Sequence, residues 1–220
     1  MKPLVLTAAA LFIATNANAT LQICVSEDGG APSCSATSAT GALTYSPSLA
    51  NFANITVATS GVPIETNPDL ATTDLSADTI AGFTGSHTLT IDVFQTGLPS
   101  VNANLQSTFT VNGLIGPTTF PGPSSLCDFI NGSGTTLGSP LHSANFGAVA
   151  TDTSQQGPTN ATVTADAQEF VVTFSEPGQS VTDTIQTLGV PTSVPEPASL
   201  GLLGSALLAL GFLAQRRWRN

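Results

Sequence analysis

The chain has 220 residues, 41% of them hydrophobic and only 8% charged, with 4 basic residues against 14 acidic ones. The four bases are Lys2, Arg216, Arg217 and Arg219, so residues 20–194 carry 13 acids and no Lys or Arg at all. That distribution excludes Lys or Arg salt bridges within the body, nucleotide handling through Lys or Arg, and nucleic acid as a partner, because no cation is present to replace the counterions around phosphate.

At the N-terminus, Lys2 precedes an apolar stretch from Leu4 to Ile13, and Ala17-Asn18-Ala19 follows in a small-x-small pattern. The stretch is too short to span a bilayer stably. With these flanks it reads as a secretory signal over 1–19, cut by signal peptidase after Ala19 to leave Thr20 as the new terminus. A buried core helix is the plainer alternative, and the flanks argue against it.

Residues 20–190 have the length of one domain with a real core. They are rich in Thr, Val, Ile and Phe, punctuated by Gly and Pro, and poor in long helix formers, which predicts an all-β fold. In chain order, the first strand is expected over Leu21 to Val25. Cys24 and Cys34 flank the Glu27-Asp28-Gly29-Gly30 turn. In an exported chain their pairing closes a short loop and leaves Cys127 as an inert thiol, with no basic neighbour to lower its pKa. Ile55 to Thr59 is the next strand, and Asp69, Asp74 and Asp78 are expected in a loop rich in Pro, Asn and Thr. In His87 to Gln95, Leu89, Ile91 and Val93 share one face; in Leu105 to Val111, Leu105, Phe109 and Val111 do. Asn112-Gly113, Asn131-Gly132 and Glu176-Pro177-Gly178 read as turns, and Gly116 to Ser139 as one long surface loop. Phe146 to Ala150, Ala161 to Ala165, Phe170 to Phe174 and Val181 to Leu188 complete the strands. Short strands so punctuated predict two packed antiparallel sheets, an Ig-like or jelly-roll-like β-sandwich rather than a barrel, and no repeat suggests a solenoid.

Catalytic signatures are missing from the body. His87 and His142 lie in no HExxH or zinc-ligand series, no GxSxG elbow occurs, and Ser133 sits in a Gly-Ser-Gly linker. No catalytic residue and no metal ligand is assigned, and no cofactor is expected. Calcium is the one ion left open, because its ligands are oxygens. Yet neither Glu27-Asp28 nor the Asp69, Asp74, Asp78 series matches an EF-hand or nonapeptide loop. The body also has Tyr45 but no Trp, which disfavours a sugar-stacking lectin face. Asn54, Asn131 and Asn160 open N-linked acceptor triplets of a kind that arises readily in Thr-rich chains.

The C-terminal region is the most specific. Residues 191–197 form a linker ending in Pro195-Glu196-Pro197, 198–214 form an uncharged apolar run, and 215–220 carry Arg216, Arg217 and Arg219. A 17-residue helix reaches about 26 Å, enough for a thin bilayer core, so a transmembrane helix is predicted. The arginines hold the C-terminus on the cytoplasmic side and place the body outside. The two prolines keep the approach extended, a shape a protease cleft can read. On physics alone an ordinary tail anchor fits as well.

The order Val194-Pro195-Glu196-Pro197-Ala198-Ser199-Leu200, one short helix and Arg216-Arg217-Trp218-Arg219 resembles the PEP-CTERM sorting signal. The resemblance covers only this tail. It implies processing by exosortase, an integral membrane cysteine protease or transpeptidase, in a Gram-negative host with an exopolysaccharide or biofilm system. Pro195, Glu196 and Pro197 are then read by that partner and are not catalytic. The expectation is an exported protein, anchored transiently in the inner membrane and then released to the cell surface or matrix. Its role there is structural or interactive, linked to exopolysaccharide, and not enzymatic. A calcium-dependent carbohydrate-binding module is the alternative, and a secreted hydrolase the next.

Overall fold

The computed structural model describes residues 19–62, 69–118, 124–146, 152–156 and 161–191. Among them every regular element is a strand: β1 (Thr20–Glu27), β2 (Ser33–Cys34), β3 (Ala42–Tyr45), β4 (Phe52–Gly61), β5 (Asp69–Thr79), β6 (His87–Ile115), β7 (Ser124–Ile130), β8 (Ser139–Phe146), β9 (Asp152–Gln156), β10 (Ala161–Phe174) and β11 (Ser180–Pro191). No helix among them is long and apolar enough to cross a membrane. The apolar run 198–214, the Pro195-Glu196-Pro197 motif, the terminal arginines and Ala17 lie outside the described residues. Ala19 is buried beside Leu98 and Leu105.

The strands form two antiparallel sheets that share one long strand. The first half of β6 pairs with β1 and β10, giving the order β2-β1-β6-β10-β7-β8. Its second half pairs with β11 and β9, giving β3-β4-β5-β11-β6-β9. Period-two alternation explains the sandwich: Ile23, Val25, Leu89, Ile91, Phe170, Val172 and Phe174 of the first sheet meet Val57, Leu75, Phe109, Val111, Val181 and Ile185 of the second in one core. Phe109, Phe170 and Phe174 are fully buried, each contributing about 1.5–3 kcal/mol of apolar burial. Phe52 packs edge-on to Phe174 at 5.1 Å between ring centroids, and Phe109 stacks on His142 at 4.0 Å.

Several expectations need correction. Gly116 to Ser139 is not one loop, because it contains β7, whose inward positions are Leu126, Asp128 and Ile130. The acid at the middle position hid the alternation. Asp69, Asp74 and Asp78 lie on β5 rather than in a loop; Thr73 takes an inward position there and blurs the pattern. Asn112-Gly113 is no turn either. It falls inside β6 at a register shift opposite Thr182 and Asp183, a bulge that absorbs the extra residue. The segments Ala161–Ala165 and Phe170–Phe174 are one strand, as are His87–Gln95 and Leu105–Val111. β8 ends at Phe146, and 147–150 lie outside the described residues.

Two turns form where Asn and Gly placed them. Asn131 takes φ 58°, its Nδ2 donates to Thr162 O at 2.9 Å, and its Oδ1 accepts from Thr164 N at 2.9 Å, clasping the irregular stretch of β10. Gly178 closes the β10–β11 corner with φ 80°.

The sheets are also joined by an amide. Gln95, on the inward side of β6 and 1% exposed, donates to Leu70 O at 3.0 Å and accepts from Val62 N at 2.7 Å, with its amide oriented to satisfy both. The backbone of Gly61 lies directly against that amide.

Candidate functional site

Three groups of polar side chains stand out, and each is assembled from distant parts of the chain. The first is at the edge of the sandwich. The Glu27–Gly30 turn closes through Gly30 N donating to Glu27 O at 2.8 Å, with Asp28 at φ 54° and Gly29 at φ 69°. This turn brings Glu27 and Asp28 to His87 at the start of β6. His87 Nδ1 lies 2.6 Å from Asp28 Oδ2 and 3.6 Å from Glu27 Oε1, and Nε2 lies 3.0 Å from Thr84 O. Asn51 Nδ2 donates to Glu27 Oε1 at 2.5 Å.

The three titratable groups are close enough to share a metal ion. The hydrogen-bond geometry favours a proton. Both imidazole nitrogens face acceptors, which suits the doubly protonated ring. The bond to Asp28 accordingly raises the His87 pKa, while Thr88 N and His87 lower that of Asp28. In a body without Lys or Arg, His87, when protonated, supplies a positive charge that ties the β1–β2 turn to β6.

The second group runs across the outer face of the first sheet. Register places Cys34, Cys24, Asp92, Glu169, Cys127 and Ser143 in one row over β2, β1, β6, β10, β7 and β8. Cys24 and Cys34 are disulfide-bonded, with Cα atoms 4.0 Å apart and a separation of 10 residues. Cys127 is a free, half-buried thiol that donates to Ser143 Oγ at 3.2 Å. Asp92 and Glu169 are hydrogen-bonded to each other. Partial burial, then the neighbouring Glu169 carboxylate, pushes Asp92 up to about 6, and burial raises Glu169 as well.

The third group lies between the sheets. Asp128 of β7, Asp166 and Gln168 of β10, Thr187 of β11 and Ser107 of β6 all point inward and are at most 2% exposed. Thr187 Oγ1 is their hub. It lies 2.8 Å from Asp128 Oδ2 and 3.4 Å from Asp166 Oδ2, and it accepts from Gln168 Nε2 at 2.9 Å. Asp128 is the register partner of Gln168, and Ser107 that of Thr187. Burial raises the pKa of both acids, and for Asp166 the adjacent Asp128 adds to it. Asp128 Oδ1, Asp166 Oδ1 and Gln168 Oε1 have no hydrogen-bond partner, and the Ser107 hydroxyl lies against the Asp128 carboxyl.

Sequence reasoning singled out Glu27, Asp28, His87 and the cysteines, and the structure brings the first three together. It missed Asn51, the Asp92–Glu169 pair and the whole interlayer cluster. One signal for the last was present: Gln168 and Asp166 share the phase of Phe170, Val172 and Phe174, and Thr187 that of Val181 and Ile185. Polar residues on an apolar phase mark buried polar sites.

The body is thus an all-β, sandwich-like domain of two antiparallel sheets, followed at once by the linker and tail. A family model of the PEP-CTERM protein-sorting motif matches residues 193–217. The tail is therefore a PEP-CTERM sorting motif, and the chain is one marked for export. No curated protein matches the sequence. Among solved structures, MgGH51 α-L-arabinofuranosidase is similar at 14% identity and a TM-score of 0.31, covering 68% of this chain and 23% of its own. The chain thus spans under a quarter of that enzyme, and 19% of the bacteriophage CBA120 tailspike protein 4 domain. The mannan-recognising module TmCBM27 aligns at 11% identity and a TM-score of 0.32, covering 68% of this chain and 88% of its own.

Proposed function

We propose that this is an exported surface or matrix protein whose body has a non-catalytic structural or interaction role linked to exopolysaccharide. The observation that carries the reading is the sorting motif at 193–217. Exosortase reads Pro195-Glu196-Pro197 while the apolar run holds the chain in the inner membrane and Arg216, Arg217 and Arg219 keep its end in the cytoplasm. The body is then freed to the surface.

Geometry supports the non-catalytic part. Asp92 and Glu169 hydrogen-bond directly, whereas carboxyl pairs that cleave glycosides stand about 5–9.5 Å apart. Asp128 and Asp166 are sealed between the sheets, away from any polymer. The anionic surface, with no Lys or Arg over residues 20–194, keeps such a protein soluble and self-repelling.

The test is the intact mass of the protein recovered from the surface and medium of its host. A chain ending near Pro195 is expected, and Glu196→Gln should leave most of the protein unprocessed in the membrane. A mass that still includes Arg216 to Asn220, or normal processing of Glu196→Gln, refutes respectively the sorting route or the reading of the charge.

A further inference from the structure

The interlayer cluster is short of protons and of positive charge. Its acceptors are four carboxylate oxygens, the Gln168 carbonyl and two hydroxyls. Its side-chain donors are the Thr187 and Ser107 hydroxyls and the Gln168 amide, one of whose protons is already spent on Thr187; the adjoining His142 imidazole is engaged with the Ser107 backbone, and burial lowers its pKa and disfavours its charged form. Asp128 Oδ1, Asp166 Oδ1 and Gln168 Oε1 are left with no partner, all of them buried. A shared proton between the acids would still leave one negative charge enclosed, with no Lys or Arg anywhere in residues 20–194 to offset it.

We propose that this cluster is a structural calcium site, with the Asp128 and Asp166 carboxylates, the Gln168 carbonyl and the Ser107 hydroxyl as ligands around the Thr187 hydroxyl. The proposed ligands are all oxygens, which select a hard cation; the one imidazole beside them, His142 of β8, is the register partner of Asp128 and is held by the backbone of Ser107. Two carboxylates match a charge of two, so a monovalent ion leaves the site anionic. Magnesium needs near-ideal octahedral geometry and gives up its water reluctantly, which suits ligands buried between two sheets poorly. Each sheet supplies ligands: β7 and β10 from one, β6 from the other, with Thr187 of β11 beside it. The ion is therefore a clamp between the layers, acquired as the sandwich closes. This site is independent of the surface role proposed above, since it concerns how the body holds together wherever it is sent.

The experiment uses the full chain in detergent micelles, stripped with EDTA and titrated with calcium chloride. Native mass spectrometry should count one calcium per chain, and the melting temperature should rise by about 5–10 °C at a hundredfold excess over Kd. Asp166→Asn removes a ligand but also a buried charge, so it should melt above the wild type in EDTA and below it in calcium. Gln168→Leu keeps both charges and should weaken binding about tenfold, which keeps the test open if the Asp variant fails to fold. Asp28→Asn, at the edge cluster, should leave calcium binding unchanged. The proposal is overturned if no calcium binds, if Asp28→Asn abolishes binding while Asp166→Asn spares it, or if calcium is inert and acidification alone stabilises the wild type through a shared proton.

Discussion

Gly61 offers the sharpest test of how the sheets are joined. It has no positive φ, so alanine meets no backbone strain and would by chain entropy alone stabilise by about 0.4–1 kcal/mol. Its added Cβ, however, would stand 2.8 Å from Gln95 Cδ and closer still to one terminal atom of that amide. The amide must leave, and Val62 N and Leu70 O lose their partner. An unsatisfied buried group costs about 1–3 kcal/mol, and crowding in a close-packed interior costs a similar amount. Offset by the entropy term, Gly61→Ala should destabilise by about 2–4 kcal/mol. Gln95→Ala alone removes the same bonds. In the double variant the clash has no partner, so it should be no less stable than Gln95→Ala. Urea unfolding of the four proteins at constant m gives the coupling energy, expected to be at least the cost of Gly61→Ala, about 2–4 kcal/mol. Strict additivity, or a loss below about 0.5 kcal/mol for Gly61→Ala, refutes the clamp.

Two pH dependences follow. The raised His87 pKa means its contribution is fully present below about 6.5, the unfolded value, and is lost as pH rises through the folded one; the lowered Asp28 contributes above about 3.8 and fails as pH falls through its own. The tie between the β1–β2 turn and β6 is thus strongest in mildly acidic solution, and an NMR titration of the His87 ring should shift to lower pH in Asp28→Asn. An unchanged titration would sink the pairing. On the outer face, Asp92 at about 6 and the raised Glu169 hold protons more tightly folded than unfolded, so they stabilise below about 4 and that stability is lost as pH rises through 6. Glu169→Gln should bring the Asp92 midpoint down, read from carboxyl 13C shifts; a midpoint that stays near 6 would leave burial as the sole cause.

The fold was legible wherever apolar residues kept the inward phase without interruption. Leu89, Ile91 and Val93, or Val181 and Ile185, are read directly because nothing but a sheet explains a period of two. β5 and β7 were opaque for one reason: Thr73 and Asp128 occupy inward positions that the hydrophobic effect would fill with carbon. The long β6 was read as two strands because Gly97, at φ 72°, interrupts the alternation that runs up to Gln95. The tail was legible as a linear signal, since proline, charge and apolar length act in sequence order. The carboxylate clusters were not. Asp128 and Asp166 are brought together by the pairing of β7 with β10, and no spacing in the chain announces a register.

The position of β11 has a consequence for the order of events during export. This strand comes last in the body, yet it lies in the middle of the second sheet, between β5 and β6, and among the described residues no ladder pairs those two directly. Without β11, which ends at Pro191, β3-β4-β5 and the far half of β6 are not joined in one sheet. The sorting motif begins at 193, two residues later. On the export route proposed above, the keystone and the address arrive together, and the tail would hold the chain at the membrane just as the last piece needed to close the body comes within reach.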